Sequence, residues 1–208
     1  MSAGVFAHWP NRITAMRFVG ALALFAVLAL WGEGQETVAE VSSNRTAMWI
    51  AFWLFLATSL SDILDGWLAR RGNQITAFGR IADPFVDKVL VLGTMIFLVV
   101  LPWSREMFPA WVVVVILARE FLVTGIRGYV ESVGGQFPAD WFGKLKMTFQ
   151  CSAIGIVLGL AAFEFPPGFE GPWWTFGRIC VWATLVTSVG SGCSYVLKTR
   201  KVLQETSA

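Results

Sequence analysis

Four aspartates at regular spacing are the residues of this sequence best suited to chemistry. Asp62 and Asp65 are three residues apart, and Asp83 and Asp87 are four residues apart. Either spacing places both carboxylates of a pair on one face of a helix. Two antiparallel helices joined by a short loop would direct both pairs into one cavity. Four carboxylates there repel one another, and hard divalent cations such as Mg²⁺ or Mn²⁺, which prefer oxygen ligands, would remove that repulsion.

Two divalent cations held in this way would suit the transfer of a phosphorus group. Paired cations roughly 3.5–4 Å apart stabilise the attacking and leaving oxygens in phosphoryl transfer, and they also bind a pyrophosphate. Gly66, Ala69 and Gly79 lie between the aspartates and lack bulky side chains. A nucleotide can therefore approach the backbone closely at these positions.

The composition places the aspartates in a membrane protein. The 208 residues are 56% hydrophobic and only 14% charged, whereas globular proteins carry about 25% charged residues. Six apolar segments are each long enough to cross a bilayer, which takes roughly 20 helical residues. They are predicted near residues 13–31, 46–70, 78–101, 109–130, 141–163 and 172–197. We therefore predict an all-α integral membrane protein with six transmembrane helices, folded as a single domain over residues 1–208.

The distribution of charge predicts the orientation. Most lysines and arginines outside the six segments lie on the side that holds both chain ends, and the other side has Arg45 and Arg105 and is otherwise acidic. By the positive-inside rule, both termini face the cytoplasm. The four aspartates then lie in the cytoplasmic half of a multi-pass protein of the cell membrane (plasma or inner membrane). A net charge of +2 without a long basic run argues against binding to nucleic acid.

The residues around the aspartates resemble a known motif. Residues 62–87 fit the pattern D-x2-D-G-x2-A-R-x8-G-x3-D-x3-D without a gap or mismatch. This pattern is similar to the motif of the class I CDP-alcohol phosphotransferase family, whose members are membrane enzymes that make phospholipids from cytidine-diphosphate-activated precursors. The resemblance implies that Asp62, Asp65 and Asp83 bind two divalent cations, Mg²⁺ or Mn²⁺, and that Asp87 is a further ligand and the general base. It assigns binding of the cytidine diphosphate to Asp62, Gly66, Ala69, Arg70 and Gly79.

Other segments resemble one subfamily, the bacterial phosphatidylglycerophosphate synthases. They are residues 11–17 (N-R-I-T-A-M-R), 118–120 and 143–148, together with Arg127. The implied reaction transfers the phosphatidyl group of CDP-diacylglycerol to sn-glycerol 3-phosphate and releases CMP, and the implied assembly is a homodimer. The same chemistry with another acceptor, such as inositol phosphate or phosphatidylglycerol, is the nearest alternative.

An acceptor that carries a phosphate needs cations near the aspartates, and four basic residues are predicted to provide them. Arg119 and Arg127 are eight residues apart, within about 80° of each other around one helix, and Lys144 or Lys146 would come from the fifth apolar segment. Arginine offers paired planar donors to phosphate, and lysine offers a mobile charge. The plainer alternative is that Arg119 pairs with an acidic neighbour and the other three enforce the topology.

Plainer interpretations also exist for the aspartates. A single aspartate can pair with Arg70, Arg80 or Lys88, and small residues in membrane helices often serve close packing. An ion-coupled transporter would also need carboxylates in the membrane. Transporter sites, however, tend to lie near the midplane at helix breaks within internal repeats, whereas these aspartates lie toward one leaflet and the sequence shows no repeat. The complete pattern therefore favours an enzyme.

Overall fold

The computed structural model describes the backbone of residues 9–72, 77–132, 141–166 and 168–206. Side chains are described for the same residues except 10, 62–72, 77–78, 80, 142 and 200–206. Five predicted site residues therefore have a helical backbone but side chains outside the described residues. They are Asp62, Asp65, Gly66, Ala69 and Arg70.

The described residues form α-helices and one short 3₁₀ turn, with no strand among them. The helices are α1 (Trp9–Gly32), α2 (Val38–Val41), α3 (Arg45–Gly72), α4 (Ala77–Val100), α5 (Ala110–Ser132), α6 (Trp141–Ala162) and α7 (Glu170–Thr206). Each predicted apolar segment corresponds to one of the six long helices. The short α2 was not predicted, although its sequence has a capping box in which the Thr37 side chain accepts a hydrogen bond from the backbone N–H of Glu40.

The hydropathy of the long helices is uneven. In the described part of the chain, three stretches are long and apolar enough to cross a membrane, namely Asn11–Gly32, Gly143–Ala162 and Glu170–Thr199. Two other long helices are interrupted by charge: α4 carries Asp83, Asp87 and Lys88, and α5 carries Arg119, Glu120 and Arg127. The residues predicted to do chemistry are therefore the same residues that make these two helices less apolar.

Helix α1 packs against α3 and α4. The aromatic rings of Phe25 in α1 and Phe97 in α4 stack with their centroids 5.4 Å apart. A side chain at Gly93 of α4 would overlap the Phe25 ring, and a Cβ at Gly20 of α1 would lie 2.9 Å from the Thr58 hydroxyl of α3. The small residues thus allow α1 to approach both neighbours closely, which fixes its position beside the predicted aspartate helices.

The remaining contacts between helices show which helices are neighbours. Helix α6 packs against α3 and α7, and α5 packs against α7. The start of α3 meets the end of α6, where Arg45 forms an ion pair with Glu164, and Phe52 and Phe163 pack edge to face with centroids 5.0 Å apart. Gly159 of α6 also lies at this contact, where an added Cβ would be 3.5 Å from the Phe52 ring.

Candidate active site

Helix α4 carries the described half of the aspartate motif. Asp83 and Asp87 are one turn apart, and both are contacted by α1. The Thr14 hydroxyl donates to Oδ1 of Asp83 at 2.5 Å, and Nη2 of Arg17 forms an ion pair with Oδ1 of Asp87. The Arg17 side chain is 2% exposed and that of Asp87 is 23% exposed, so the acidic face is half-open while its partners on α1 are buried.

The local sequence of α4 shapes this face. Gly79 is buried near the start of the helix, and its role in binding the nucleotide stays a prediction. Pro84 lies inside the helix between the two aspartates. Because proline has no N–H, the carbonyl of residue 80 loses its usual helical hydrogen bond at this point.

Sequence reasoning singled out residues 11–17 of α1 by resemblance but assigned no role to their side chains. Asn11, Thr14 and Arg17 recur every third residue in an apolar helix and are 1%, 3% and 3% exposed. Polar residues at that spacing in a membrane span are by default a functional hypothesis, and this signal could have found them. Among the described residues, Asp87 pairs with Arg17, a partner that was not among those considered for it.

The described residues fit half of the predicted metal site. Asp83 and Asp87 supply hard oxygen donors, and Asp62 and Asp65 lie outside the described side chains. No group of three or more potential ligands occurs within the described residues. The oxygen donors that are described suit Mg²⁺ or Mn²⁺, and the two-cation site remains a prediction.

A second charged group, which we call the basic cluster, consists of Arg119, Glu120 and Arg127 of α5, Lys146 of α6 and Lys88 of α4. Its centre is the buried Glu120 carboxylate. Oε1 of Glu120 accepts a hydrogen bond from Nη1 of Arg119 at 2.7 Å and forms an ion pair with Lys146. All three side chains are 9% exposed. The alternative that Arg119 pairs with an acidic neighbour is thus confirmed for Glu120, and the same carboxylate brings Lys146 to Arg119.

Helix α7 holds the two arginines from the other side. Arg119 donates from Nε to the backbone carbonyl of Ser188 at 3.2 Å and from Nη2 to the Ser191 hydroxyl. Arg127 donates to the Tyr195 hydroxyl, and its guanidinium lies 5.1 Å from the centre of the Tyr195 ring. These contacts fix the orientation of both guanidinium groups.

Lys88 connects the two charged regions and was not predicted as part of the acceptor site. It follows Asp87 directly in α4, and its ammonium group donates to the Thr124 hydroxyl of α5. It lies within electrostatic range of Glu120, Arg127 and Arg119. The basic cluster therefore combines four cationic side chains with one carboxylate, and it begins one residue after the aspartate motif ends.

Lys144 lies elsewhere. Two residues along a helix are about 200° apart around its axis, so Lys144 and Lys146 point to opposite sides of α6. Lys144 is exposed and lines a groove of about 1190 Å³ between α3, α6 and α7. The structure thus brings Arg119, Arg127 and Lys146 into one region and places Lys144 on the other side of α6.

Comparison with known proteins identifies the family. A family model described as CDP-alcohol phosphatidyltransferase matches residues 7–190. The chain belongs to this family. The match covers the aspartate motif, α1 and the whole basic cluster, and it confirms the resemblance found in the sequence. The chain is therefore a phosphatidyltransferase-family enzyme.

Several relatives of this phosphatidyltransferase-family chain have similar lengths. A CDP-diacylglycerol–glycerol-3-phosphate 3-phosphatidyltransferase of Bacillus subtilis is 33% identical over 202 residues, covering 94% of this chain and 96% of the relative. A probable phosphatidylglycerophosphate synthase of Mycobacterium tuberculosis H37Rv is 32% identical over 195 residues, covering 92% and 81%. A CDP-diacylglycerol–glycerol-3-phosphate 3-phosphatidyltransferase of Rickettsia felis is 29% identical over 163 residues, covering 76% and 83%.

Proposed function

We propose that this chain transfers the phosphatidyl group of CDP-diacylglycerol to sn-glycerol 3-phosphate, giving phosphatidylglycerophosphate and CMP. The names of its relatives support both substrates. The observation that carries the proposal is that two adjacent residues of α4 belong to the two charged regions. Asp87 belongs to the acidic motif and Lys88 reaches the basic cluster, so a site for a pyrophosphate lies next to a site for a second phosphate.

The acidic motif would hold the CDP part. When bound to the aspartates, two divalent cations would neutralise charge on the pyrophosphate and on departing CMP. Asp87 would take the proton from the acceptor hydroxyl. The hydroxyl oxygen would then form a bond to the phosphorus nearer diacylglycerol, and the bond from that phosphorus to the CMP oxygen would break.

The basic cluster would hold the phosphate of the acceptor. Four cationic side chains against one carboxylate leave an excess of positive charge, which favours a phosphate monoester with roughly two negative charges over a phosphodiester. This supports sn-glycerol 3-phosphate over phosphatidylglycerol as the acceptor. Inositol phosphate, which is also a monoester, stays the nearest competitor.

The groove between α3 and α6 suits the diacylglycerol part. It is lined mainly by apolar side chains. Ser59 precedes Asp62 by three residues in α3, and Lys144 lies near the start of α6. Apolar walls with a cation at one end match acyl chains with a phosphate at their head. In this proposal Lys144 contacts the lipid substrate rather than the acceptor.

The proposal also includes the arrangement in the membrane. All six long helices cross the bilayer, both termini lie in the cytoplasm, and the active site opens to the cytoplasmic side of the plasma or inner membrane. A homodimer is expected from the family resemblance. The orientation is tested in a cysteine-free background with single cysteines introduced near Ala208 and at Gly168. A membrane-impermeant thiol reagent added to intact cells should modify the cysteine at 168 and spare the one near 208.

The function is tested with purified protein, CDP-diacylglycerol and a panel of acceptors. The panel contains sn-glycerol 3-phosphate, inositol phosphate and phosphatidylglycerol, and CMP release and the mass of the lipid product are measured. We expect phosphatidylglycerophosphate to form fastest. A higher kcat/KM for inositol phosphate would identify that compound as the acceptor. No CMP release with any of the three acceptors would refute the proposed function.

A further inference from the structure

Helix α1 contacts the two aspartates of α4 through buried side chains. Thr14 and Arg17 are each 3% exposed. The O–H···O⁻ distance from Thr14 to Asp83 is 2.5 Å, which is at the short end of the range for charge-assisted hydrogen bonds. A buried arginine is costly unless it is paired, and the structure pairs Arg17 with Asp87. Both contacts therefore join a buried polar side chain of α1 to a carboxylate of α4.

Each contact engages one oxygen of its carboxylate. Thr14 bonds to Oδ1 of Asp83 and Arg17 to Oδ1 of Asp87. An ionised carboxylate has two oxygens with about four lone-pair directions. A contact to one oxygen restricts the rotation of the carboxylate group and leaves lone pairs of the group for a ligand.

The two helices hold these contacts in register. Residue numbers increase in the same direction in both helices from one contact to the next, so α1 and α4 run parallel. The contacting pairs are Thr14 with Asp83, Arg17 with Asp87, and Phe25 with Phe97. The Phe25 ring fills the space that a side chain at Gly93 would need. Sliding α1 along α4 would break the aromatic contact, and the positions of Thr14 and Arg17 are therefore set by packing well away from the aspartates.

We propose that Thr14 and Arg17 are positioning residues that orient the Asp83 and Asp87 carboxylates toward the divalent cations. The inference rests on the proposed function for the presence of the cations, and it concerns α1, which lies outside the aspartate motif. Groups that orient metal ligands typically change metal affinity or activity by about 10–100-fold when they are replaced.

The test measures Mn²⁺ binding to the purified full-length protein by electron paramagnetic resonance, without substrate. Thr14→Val removes the hydroxyl and keeps the shape, and Arg17→Lys keeps the charge and removes the planar fork. We expect each to raise the Kd for Mn²⁺ by about 10–100-fold and to lower kcat when Mn²⁺ is not saturating.

The chain offers matched controls. Thr184 is fully buried, and its hydroxyl bonds to the carbonyl of Cys180 in its own helix, so Thr184→Val makes the same chemical change away from the aspartates. Arg178 is an exposed arginine of α7, so Arg178→Lys is the control for Arg17→Lys. Both controls should bind Mn²⁺ as the parent does. Thermal unfolding in detergent identifies any variant that fails to fold. If Arg17→Lys does not fold, the Mn²⁺ affinity of the milder variant Thr14→Val tests the inference.

Several outcomes would overturn the inference. Parent-like Mn²⁺ affinity in folded Thr14→Val and Arg17→Lys would show that α1 only packs. Tighter Mn²⁺ binding by Arg17→Met would show that Arg17 competes with the cations for Asp87. A parent protein that binds no Mn²⁺ would also overturn it. Failure of the proposed function is seen separately, as absence of CMP release by a parent protein that does bind Mn²⁺.

Discussion

The two charged regions of this protein differ in how the charges of their side chains are balanced. The basic cluster has its own counter-ion, because Glu120 lies between Arg119 and Lys146 and all three are nearly buried. The described half of the aspartate motif is held by α1 through Thr14 and Arg17, so that among the described side chains one arginine faces the two carboxylates of Asp83 and Asp87. Under the proposed function, the basic cluster is assembled in advance, whereas the acidic region is completed by the two divalent cations.

Removal of divalent cations should separate the two regions most clearly. EDTA should abolish CMP release, and Mg²⁺ or Mn²⁺ should restore it, because in the proposed reaction two divalent cations bind the aspartates and neutralise the pyrophosphate. The basic cluster should keep its affinity for sn-glycerol 3-phosphate in EDTA, as measured by isothermal titration calorimetry. Undiminished CMP release by metal-free protein would contradict the two-cation site.

Replacement of Asp87 should have the next largest effect. Asp87→Asn keeps the shape but removes the proposed base and one anionic ligand, so kcat should fall by about 10²–10⁴-fold, the usual contribution of general-base catalysis. The KM for CDP-diacylglycerol should change little. Glu164→Gln removes a carboxylate from the exposed ion pair with Arg45 at the other end of the bundle and should retain the parent kcat. An Asp87→Asn variant as fast as this control would remove Asp87 from the mechanism.

Replacement of Glu120 should test whether the basic cluster carries its own counter-ion. Glu120→Gln leaves Arg119 and Lys146 buried without a carboxylate, and breaking a buried ion pair in this way costs about 3–5 kcal/mol. The free energy of unfolding should therefore fall by about 3 kcal/mol, measured by denaturation in mixed micelles. A variant as stable as the parent would mean that the cluster does not need the internal carboxylate.

The smallest effect expected concerns the two lysines of α6. Lys146→Met removes a cation from the basic cluster and should raise the KM for sn-glycerol 3-phosphate by about 10–100-fold, the equivalent of one charge-assisted hydrogen bond. Lys144→Met makes the same change on the opposite side of the helix and should leave that KM unchanged while raising the KM for CDP-diacylglycerol. Equal effects of both variants on the KM for sn-glycerol 3-phosphate would indicate that Lys144 also binds the acceptor.

The two regions also differ in how far the sequence predicts them. The aspartate motif occupies one continuous segment, so helical spacing and residue type were enough to identify Asp83 and Asp87 as neighbours on α4. The contacts from Thr14 and Arg17 join residues 69 and 70 positions apart. Spacing within one helix carries no information about which face of another helix lies opposite, and for that reason these contacts were not predicted.

The basic cluster shows the same limit more strongly. Arg119, Arg127 and Lys146 were predicted from charge and helical position, but Ser191 and Tyr195 of α7 were not, because nothing in the last apolar segment marks them as partners of arginine. Lys88 was considered only as a partner for an aspartate. Its contact with Thr124 depends on how α4 and α5 pack, which the sequence pattern of either helix alone does not determine.

The length of α7 has a practical consequence for imaging this protein. The helix runs for 37 residues, about 55 Å at 1.5 Å per residue, whereas the hydrocarbon core of a bilayer is about 30 Å thick. Its second half holds Tyr195 against Arg127 and continues without a break to Thr206. A soluble domain fused in helical register after Thr206 would share the rigid-body orientation of the basic cluster. This gives a protein of 22.9 kDa a fiducial marker for particle alignment in electron cryomicroscopy.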